Sequence, residues 1–249
     1  EETYPRPLLD LGCGDGLIAR ALFGSAGVDV GLDPWAEQVR QAACLRVYRS
    51  VQRASGQRLP YPDGAFASVF SNSVLEHIAD VSPVLQEVGR VLRRPASGRP
   101  GGRFVFTVPS DAFRRLLYFY QARLSADDRA GAERYAAEVD ARLAHHHYYT
   151  PQEWARLLAQ AGMALEKSRY YMPQPVVHLW DRMNARFGVG RRSLWGWLAS
   201  PRLRRLGYQR PLARWLVGRL DVAWRPYYEM DVPPGEQGGG LLVVGRRMG

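Results

Sequence analysis

The sequence predicts an α/β protein built on a doubly wound, mostly parallel sheet, and three observations carry that expectation. Short apolar runs alternate with helical patterns through the first 110 residues, the rhythm of parallel strands joined by crossover helices. A glycine cluster, Gly12-Cys13-Gly14-Asp15-Gly16, falls where the first apolar run ends and the first helical pattern begins. The 249 residues are 46% hydrophobic and 23% charged, close to globular averages, which argues against disorder, a collagen-like repeat or a disulfide scaffold.

Taken in order, Leu8 to Leu11 reads as strand one. The next helix places Leu17, Ile18, Ala21 and Leu22 at helical spacing. Val28 to Asp33 is strand two, and Pro34 is expected in the first turn of the following helix, where its missing N–H costs nothing. Ser50 to Ser55 is a weaker strand three. Phe66 to Ser71 is strand four, after the turn Tyr61-Pro62-Asp63-Gly64. Ser82-Pro83 opens a helix with Val84, Leu85, Val88, Val91 and Leu92 on one face, and Gly102 to Val108 is strand five.

After Ser110 the rhythm changes. Phe113 to Leu143 holds two helical patterns with no strand between them, so residues 111–147 read as a helical insertion. Thr150-Pro151-Gln152-Glu153 is a capping box with proline at the first helical position, and its helix stops at Gly162. Ala164 to Tyr171 is strand six, and Leu241 to Arg246 is the last strand. Between them, residues 173–236 form a second insertion rich in Trp and Arg. The chain, 1–249, is thus expected to be one domain with two insertions.

The formal net charge is +10, which would ordinarily suggest a polyanionic partner. Of the 34 basic residues, however, 33 are Arg and only Lys167 is Lys, a bias that GC-rich coding produces by itself. With no accompanying nucleic-acid motif, a nucleic-acid partner is disfavoured. Cys13 and Cys44 show neither CxxC nor Cys/His ligand spacing, which argues against a metal site and fits a reducing compartment. No run approaches the roughly 18 apolar residues of a membrane span, and Glu1 to Pro7 lack signal-peptide character, so the expected location is cytoplasmic.

The glycine cluster at a strand-to-helix junction lets a ligand approach backbone closely, the arrangement of a nucleotide-like site. The third glycine comes one residue too early for GxGxxG, and no GK followed by Ser or Thr is present. Asp33, 21 residues after Gly12 at the tip of strand two, is placed to accept both hydroxyls of a ribose. A glycine loop without phosphate-binding features, joined to a ribose acid, fits a nucleoside cofactor that lacks phosphates.

At this point the sequence resembles the class I S-adenosylmethionine-dependent methyltransferases, most closely their UbiE-like small-molecule group. The matching residues are Asp10-Leu11-Gly12-Cys13-Gly14-Asp15-Gly16, Gly31-Leu32-Asp33, Leu59 to Phe66, Ser71 to Ile78, and Pro100-Gly101-Gly102-Arg103. The likeness covers about residues 7–110 and resumes at 147–171 and 240–247. It implies a seven-stranded Rossmann-like sheet with the helical insertions forming a cap, and S-adenosyl-L-methionine as cofactor with S-adenosyl-L-homocysteine as product. By the same resemblance Gly12, Gly14 and Gly16 line the methionine half, Asp10 supports the loop, and Asp33 holds the ribose. Ser55 and Gly56 flank the adenine, where many relatives carry Asp-Ala, and Ser71 and Asn72 face the sulfonium. Two further departures are Ala67, where an Asp is frequent, and the lengthened turn Arg93 to Pro100. The helices that often lie upstream of strand one have no counterpart in the residues before Leu8, so a trimmed chain is expected.

A sulfonium methyl is already activated, so positioning in a dry site can supply most of the catalysis, while a general base would add about 10² to 10⁴ in rate. The candidate bases are His77 and the run His145-His146-His147, with His146 and His147 beside Tyr148 and Tyr149. The run also reads as pocket lining or as packing, and three adjacent histidines without a second ligand set do not indicate a metal. The second insertion carries five of the seven tryptophans and eleven arginines against five acids. It has one apolar stripe at Val176, Leu179, Trp180, Met183 and Phe187. A second runs through Leu212, Trp215, Leu216, Leu220 and Ala223, with Pro211 at the helix start. Such stripes read as a cap over the cleft or as a peripheral membrane contact through 173–236.

The resulting expectation is methyl transfer to a small-molecule, lipid-linked or otherwise amphiphilic acceptor, with the acceptor pocket shaped by 111–147 and 173–236. Two alternatives stay open: an RNA or protein methyltransferase, and a cofactor-binding protein on the same scaffold without turnover.

Overall fold

The computed structural model describes residues 4–187 and 209–249. The chain divides into two compact units: Glu1–Asp111 with His145–Arg169 and Gly240–Gly249, and Ala112–Ala144 with Tyr170–Gly239.

The first unit is built on β1 (Leu8–Leu11), β2 (Val28–Asp33), β3 (Tyr48–Arg53), β4 (Ser68–Asn72), β5 (Arg103–Pro109), β6 (Met163–Tyr171) and β7 (Gly240–Arg247). Among the described residues these seven strands form one sheet in the order β3-β2-β1-β4-β5-β7-β6. The first five pair in parallel, and β7 runs antiparallel to β5 from Arg103↔Arg246 to Pro109↔Gly240. Its helices are α1 (Leu17–Phe23), α2 (Ala36–Cys44), α3 (Ser82–Val91) and α6 (Pro151–Gln160).

The strands read as continuous apolar runs because a parallel sheet is covered on both faces. All four residues of β1 are buried, as are Val69, Phe104, Val105 and Phe106. On α3 the buried residues include Val84, Leu85, Val88 and Val91, the face that the spacing predicts. At the start of α6, Thr150 Oγ1 accepts from the Glu153 amide and Glu153 returns to the Thr150 amide, so the predicted capping box is complete. Trp154 of that helix is fully buried, its ring 4.8 Å from Phe106 edge-on.

In this unit, four expectations need correction. Strand three begins two residues earlier than expected, because Val28 N bonds Val47 O and sets Val28 opposite Tyr48. This edge strand has only half-buried or exposed side chains, so no alternation marks its ends. Phe66 stays outside β4: its amide bonds Val91 O while Ala67 and Ser68 bond Pro7 O. Pro34 precedes α2, whose N-cap is Trp35. Finally, Leu17, Ile18 and Leu22 of α1 are exposed by at least half, and Ala19 is that helix's buried residue.

The second unit contains α4 (Tyr118–Ser125), α5 (Arg129–Leu143), α7 (Gln174–Phe187) and α8 (Gln209–Tyr228). Asp128 caps α5 by accepting from the Gly131 amide at 2.8 Å. On α7 the buried positions are Val177 and Asp181, whereas Val176, Leu179, Trp180 and Met183 are only half-buried. The apolar stripe therefore misplaces the buried line, because an acid occupies it. Asp181 accepts from Tyr135 Oη at 2.5 Å and from the Phe119 amide at 3.1 Å, so one buried carboxylate joins α4, α5 and α7. Pro211 falls within α8 rather than at its first residue; Trp195, Trp197 and the side chains of Phe187, Leu212, Trp215 and Leu216 lie outside the described residues.

Gly89 on α3 marks where two helices of the first unit meet, since a Cβ there would stand 2.3 Å from Ala161 O. Alanine would gain about 1 kcal/mol of helix propensity, but a 2.3 Å clash with a backbone carbonyl falls in the upper part of the overpacking range, about 2 to 3 kcal/mol. Gly89→Ala is therefore expected to lower stability by about 1 to 2 kcal/mol, read as a lower denaturant midpoint with an unchanged slope. A midpoint equal to or above wild type would contradict the close approach of α3 and Ala161.

Candidate active site

Adjacent strands β1 and β4 send their crossovers in opposite directions, β1 toward β2 and β4 toward β5, and such a reversal opens a crevice at the strands' carboxyl ends. A cavity of about 710 Å³ lies there, within the range of small-ligand sites. Gly12, Gly14, Asp33, Ser55, Gly56 and Asn72 line it, as does Asp10.

The loop after β1 is held by its own amides. Gly12 N and Cys13 N both donate to Leu32 O, at 2.8 and 3.0 Å, and Gly14 N donates to Asp33 Oδ2 at 3.0 Å. These amides are engaged within the protein, so the glycines serve as space rather than as a cradle of donors. Gly12 has φ +75°, and a Cβ there would overlap Val74 at 2.4 Å. A Cβ at Gly14 would meet nothing within 4 Å, which leaves that wall open to a ligand.

Asp33 is buried and bridges two backbone segments, because its Oδ1 also accepts from the Trp35 amide at 2.9 Å. Each carboxylate oxygen has two lone pairs, so both retain an acceptor site for a hydroxyl. Asp10 accepts from Tyr48 Oη at 2.6 Å. Burial raises its carboxyl to about 7; the Tyr48 bond opposes the shift and the nearby Asp33 adds to it. Burial, then Asp10 and Asp33, push the Cys13 thiol up to about 12, so it stays protonated and is no nucleophile near neutral pH.

Asn72 Oδ1 accepts from Thr107 Oγ1 at 2.8 Å across the β4–β5 pair, and Ser55 Oγ accepts from the Gln57 amide at 3.2 Å. Ser71 and Gly16 stand behind the wall. Ser71 is buried and donates to Leu11 O at 2.8 Å, fastening β4 to β1, while Gly16 caps α1 at φ +82° against Tyr48 and Ala42. Trp35, Gln38, Gln57, Val74 and Ile78 line the cavity as well. Val74 and Ile78 belong to the Ser71–Ile78 motif, whereas no motif marks Trp35, Gln38 or Gln57, because local spacing does not say which neighbouring side chains turn inward.

His77 is exposed and lines the same cavity. The His145–His147 segment is tied to it: His146 N donates to Glu76 O at 2.8 Å, and His147 Nε2 lies 3.1 Å from Ile78 O. The rings of His77 and His145 are 5.3 Å apart, and His145 Nδ1 is 2.9 Å from Tyr148 Oη. His147 stacks on Tyr149 at 4.2 Å, and the His146 side chain is exposed. Burial, followed by the charges of His77 and His147, lowers His145 to about 4; burial also lowers His147, against its bonds to Ile78 and Leu75. Burial raises the Glu76 carboxyl to about 7. Thus the structure brings His77 and His145, the first residue of the histidine run, together.

The seven-stranded sheet, parallel but for β7 beside β5, is the fold of the class I methyltransferases. Residues 9–106 match the family model described as "Methyltransferase domain". A malonyl-[acyl-carrier protein] O-methyltransferase from Pseudescherichia vulneris is 31% identical over 138 residues, 55% of this chain and 51% of that protein. A demethylmenaquinone methyltransferase from Symbiobacterium thermophilum is 29% identical over 130 residues, 47% of this chain and 49% of that protein. Among solved structures, a putative sarcosine dimethylglycine methyltransferase from Galdieria sulphuraria shares the fold with TM-score 0.55 at 20% identity, over 97% of this chain and 78% of that one. The chain spans about half the length of the curated relatives it matches. Residues 9–106 therefore carry a methyltransferase domain on this sheet.

The raised carboxyl of Asp10 has a sign that can be measured. Between its ordinary value of 3.8 and about 7, the folded chain keeps a proton that the unfolded chain has released, so the contribution of Asp10 to stability falls as pH rises through that window. Asp10→Asn, which cannot ionise, is expected to flatten this fall and to gain on wild type from about pH 5 to 7. Parallel pH profiles of the unfolding midpoint for the two proteins would contradict it.

Proposed function

We propose that this protein transfers a methyl group from S-adenosyl-L-methionine to a small or lipid-linked acceptor. The observation that carries the cofactor is the charge of the cleft. Asp10, Asp15 and Asp33 line it, and no Arg or Lys is among the described lining residues, in a chain with 34 basic residues. A phosphate-bearing nucleotide would meet acids there without a compensating cation, whereas a nucleoside carrying a positive sulfonium meets opposite charge. The open wall at Gly14, the remaining lone pairs of Asp33 and the cavity volume fit such a ligand.

When bound, the cofactor supplies an activated methyl group. The residues of the chain then have three tasks: Asp33 takes the ribose hydroxyls, Ser55 and Gly56 border the base, and Asn72 stands at the end of β4 toward the reacting end. Holding an acceptor in line and excluding water accounts for the rest of the rate. The acceptor class is supported by the relatives' names, which specify a malonyl-[acyl-carrier protein] and demethylmenaquinone rather than a nucleic acid. No helix among the described residues is long and apolar enough to cross a membrane.

Calorimetry with S-adenosylhomocysteine tests the cofactor. Wild type is expected to bind, and Asp33→Ala to bind about 10- to 100-fold more weakly, since hydrogen bonds to a charged group contribute about 1.5 to 3 kcal/mol. Absence of binding by wild type would end the methyl-transfer reading, and equal affinity in the variant would remove Asp33 from the site. A metabolite extract supplied with methyl-labelled cofactor then identifies the acceptor; cofactor binding without any labelled product would favour a non-catalytic binding protein.

A further inference from the structure

We infer that Glu76, His77 and His145 form a binding site for one divalent first-row transition-metal ion at the edge of the cleft. One ligand atom from each of these residues lies within 4.8 Å of the other two. Ligand bonds of about 2.1 Å to a tetrahedral ion require about 3.5 Å between these atoms, so binding calls for a small inward turn of the exposed His77 and half-buried His145 rings.

The second observation is the state of Glu76. The residue is 1% exposed, and its Oε2 has no hydrogen-bond partner among the described residues. A buried carboxylate oxygen left without a partner is costly, and a cation supplies the missing one. The set joins two segments about 70 residues apart in the chain, so no local ligand spacing marks it.

The backbone holds the set in place. Glu76 and His77 sit in the short turn Leu75–His77 that follows β4, and His145 comes from the segment before α6. The bonds His146 N to Glu76 O and His147 Nε2 to Ile78 O clamp those two segments on either side of the cluster. Tyr148 Oη at 2.9 Å from His145 Nδ1 orients that ring, the outer-shell contact that metal-bound histidines usually have. Two imidazoles and one carboxylate suit zinc, manganese or iron, and disfavour magnesium and calcium, which prefer oxygen donors.

In this assignment His77 is a ligand and not a free base. Because His77 also lines the cleft, the remaining coordination positions of the ion are available to an oxygen or nitrogen of the acceptor. That last step rests on the methyl-transfer reading, whereas the site itself does not.

The test uses the untagged full chain, stripped with a chelator and dialysed against zinc, manganese or magnesium, with bound metal measured by atomic emission. One zinc or manganese per chain is expected. Glu76→Gln and His145→Ala should each lower the affinity by at least about tenfold. His178→Ala, whose ring contacts Gln121 within the second unit, should leave it unchanged. Circular dichroism establishes that the variants fold, and if Glu76→Gln does not, His145→Ala decides. No uptake by wild type, uptake unaltered by the foldable variants, or magnesium bound as tightly as zinc would overturn the site. S-adenosylhomocysteine affinity measured on the same samples separates the two readings: metal uptake without cofactor binding keeps the metal site and removes methyl transfer, and cofactor binding without metal uptake does the reverse.

Discussion

The cleft depends on one topological constraint: β1 and β4 are neighbours whose following chains leave in opposite directions. Right-handed crossovers on a twisted parallel sheet permit that only if a crevice opens where the two chains part. The hydrogen bonds of the site then read as its stitching. Ser71 to Leu11 closes β4 on β1, the amides of Gly12 and Cys13 close the loop on β2, and Asp33 ties that loop to the start of α2. A side chain at Gly12 would strike Val74, which follows β4, so the approach of the β1 loop to the far side of the crevice is as close as glycine allows.

Electrostatics sharpen what the topology leaves general. The excess of arginine gives the protein its net charge of +10, yet the described lining of the cleft carries acids and no Arg or Lys. The two facts concern different length scales. Surface cations are screened over about 8 to 10 Å at ordinary ionic strength, whereas partly buried carboxylates act on a ligand at contact. The local arrangement therefore says more about the ligand than the overall balance does.

Three buried acids show how differently a carboxylate can be accommodated. Asp181 is satisfied by a tyrosine hydroxyl and a backbone amide and joins three helices. Asp10 has the Tyr48 hydroxyl but stands near Asp33, and its carboxyl rises to about 7. Glu76 keeps an oxygen without a partner among the described residues. The first is a structural fastening, the second a group whose charge depends on pH near neutrality, and the third the acid that asks for a cation.

The sheet class and the order of its elements were legible in the sequence, as were Gly12, Gly14 and Asp33, which line the cleft. These rest on local rules: apolar runs for strands buried on both faces, positive φ at Gly12, Gly14 and Gly16, and an acid at the tip of β2. It also fixed the capping box at Thr150, because that device spans only four residues. It misjudged β3, whose exposed side chains lack alternation, and α1, whose apolar residues face outward. Long-range packing set Ser71 and Gly16 outside the cavity lining, put Asp181 rather than the apolar stripe on the buried line of α7, and brought His145 to Glu76 and His77. Each of those outcomes depends on which distant segment packs against the residue, and a single chain's local pattern does not encode contacts across about 70 residues.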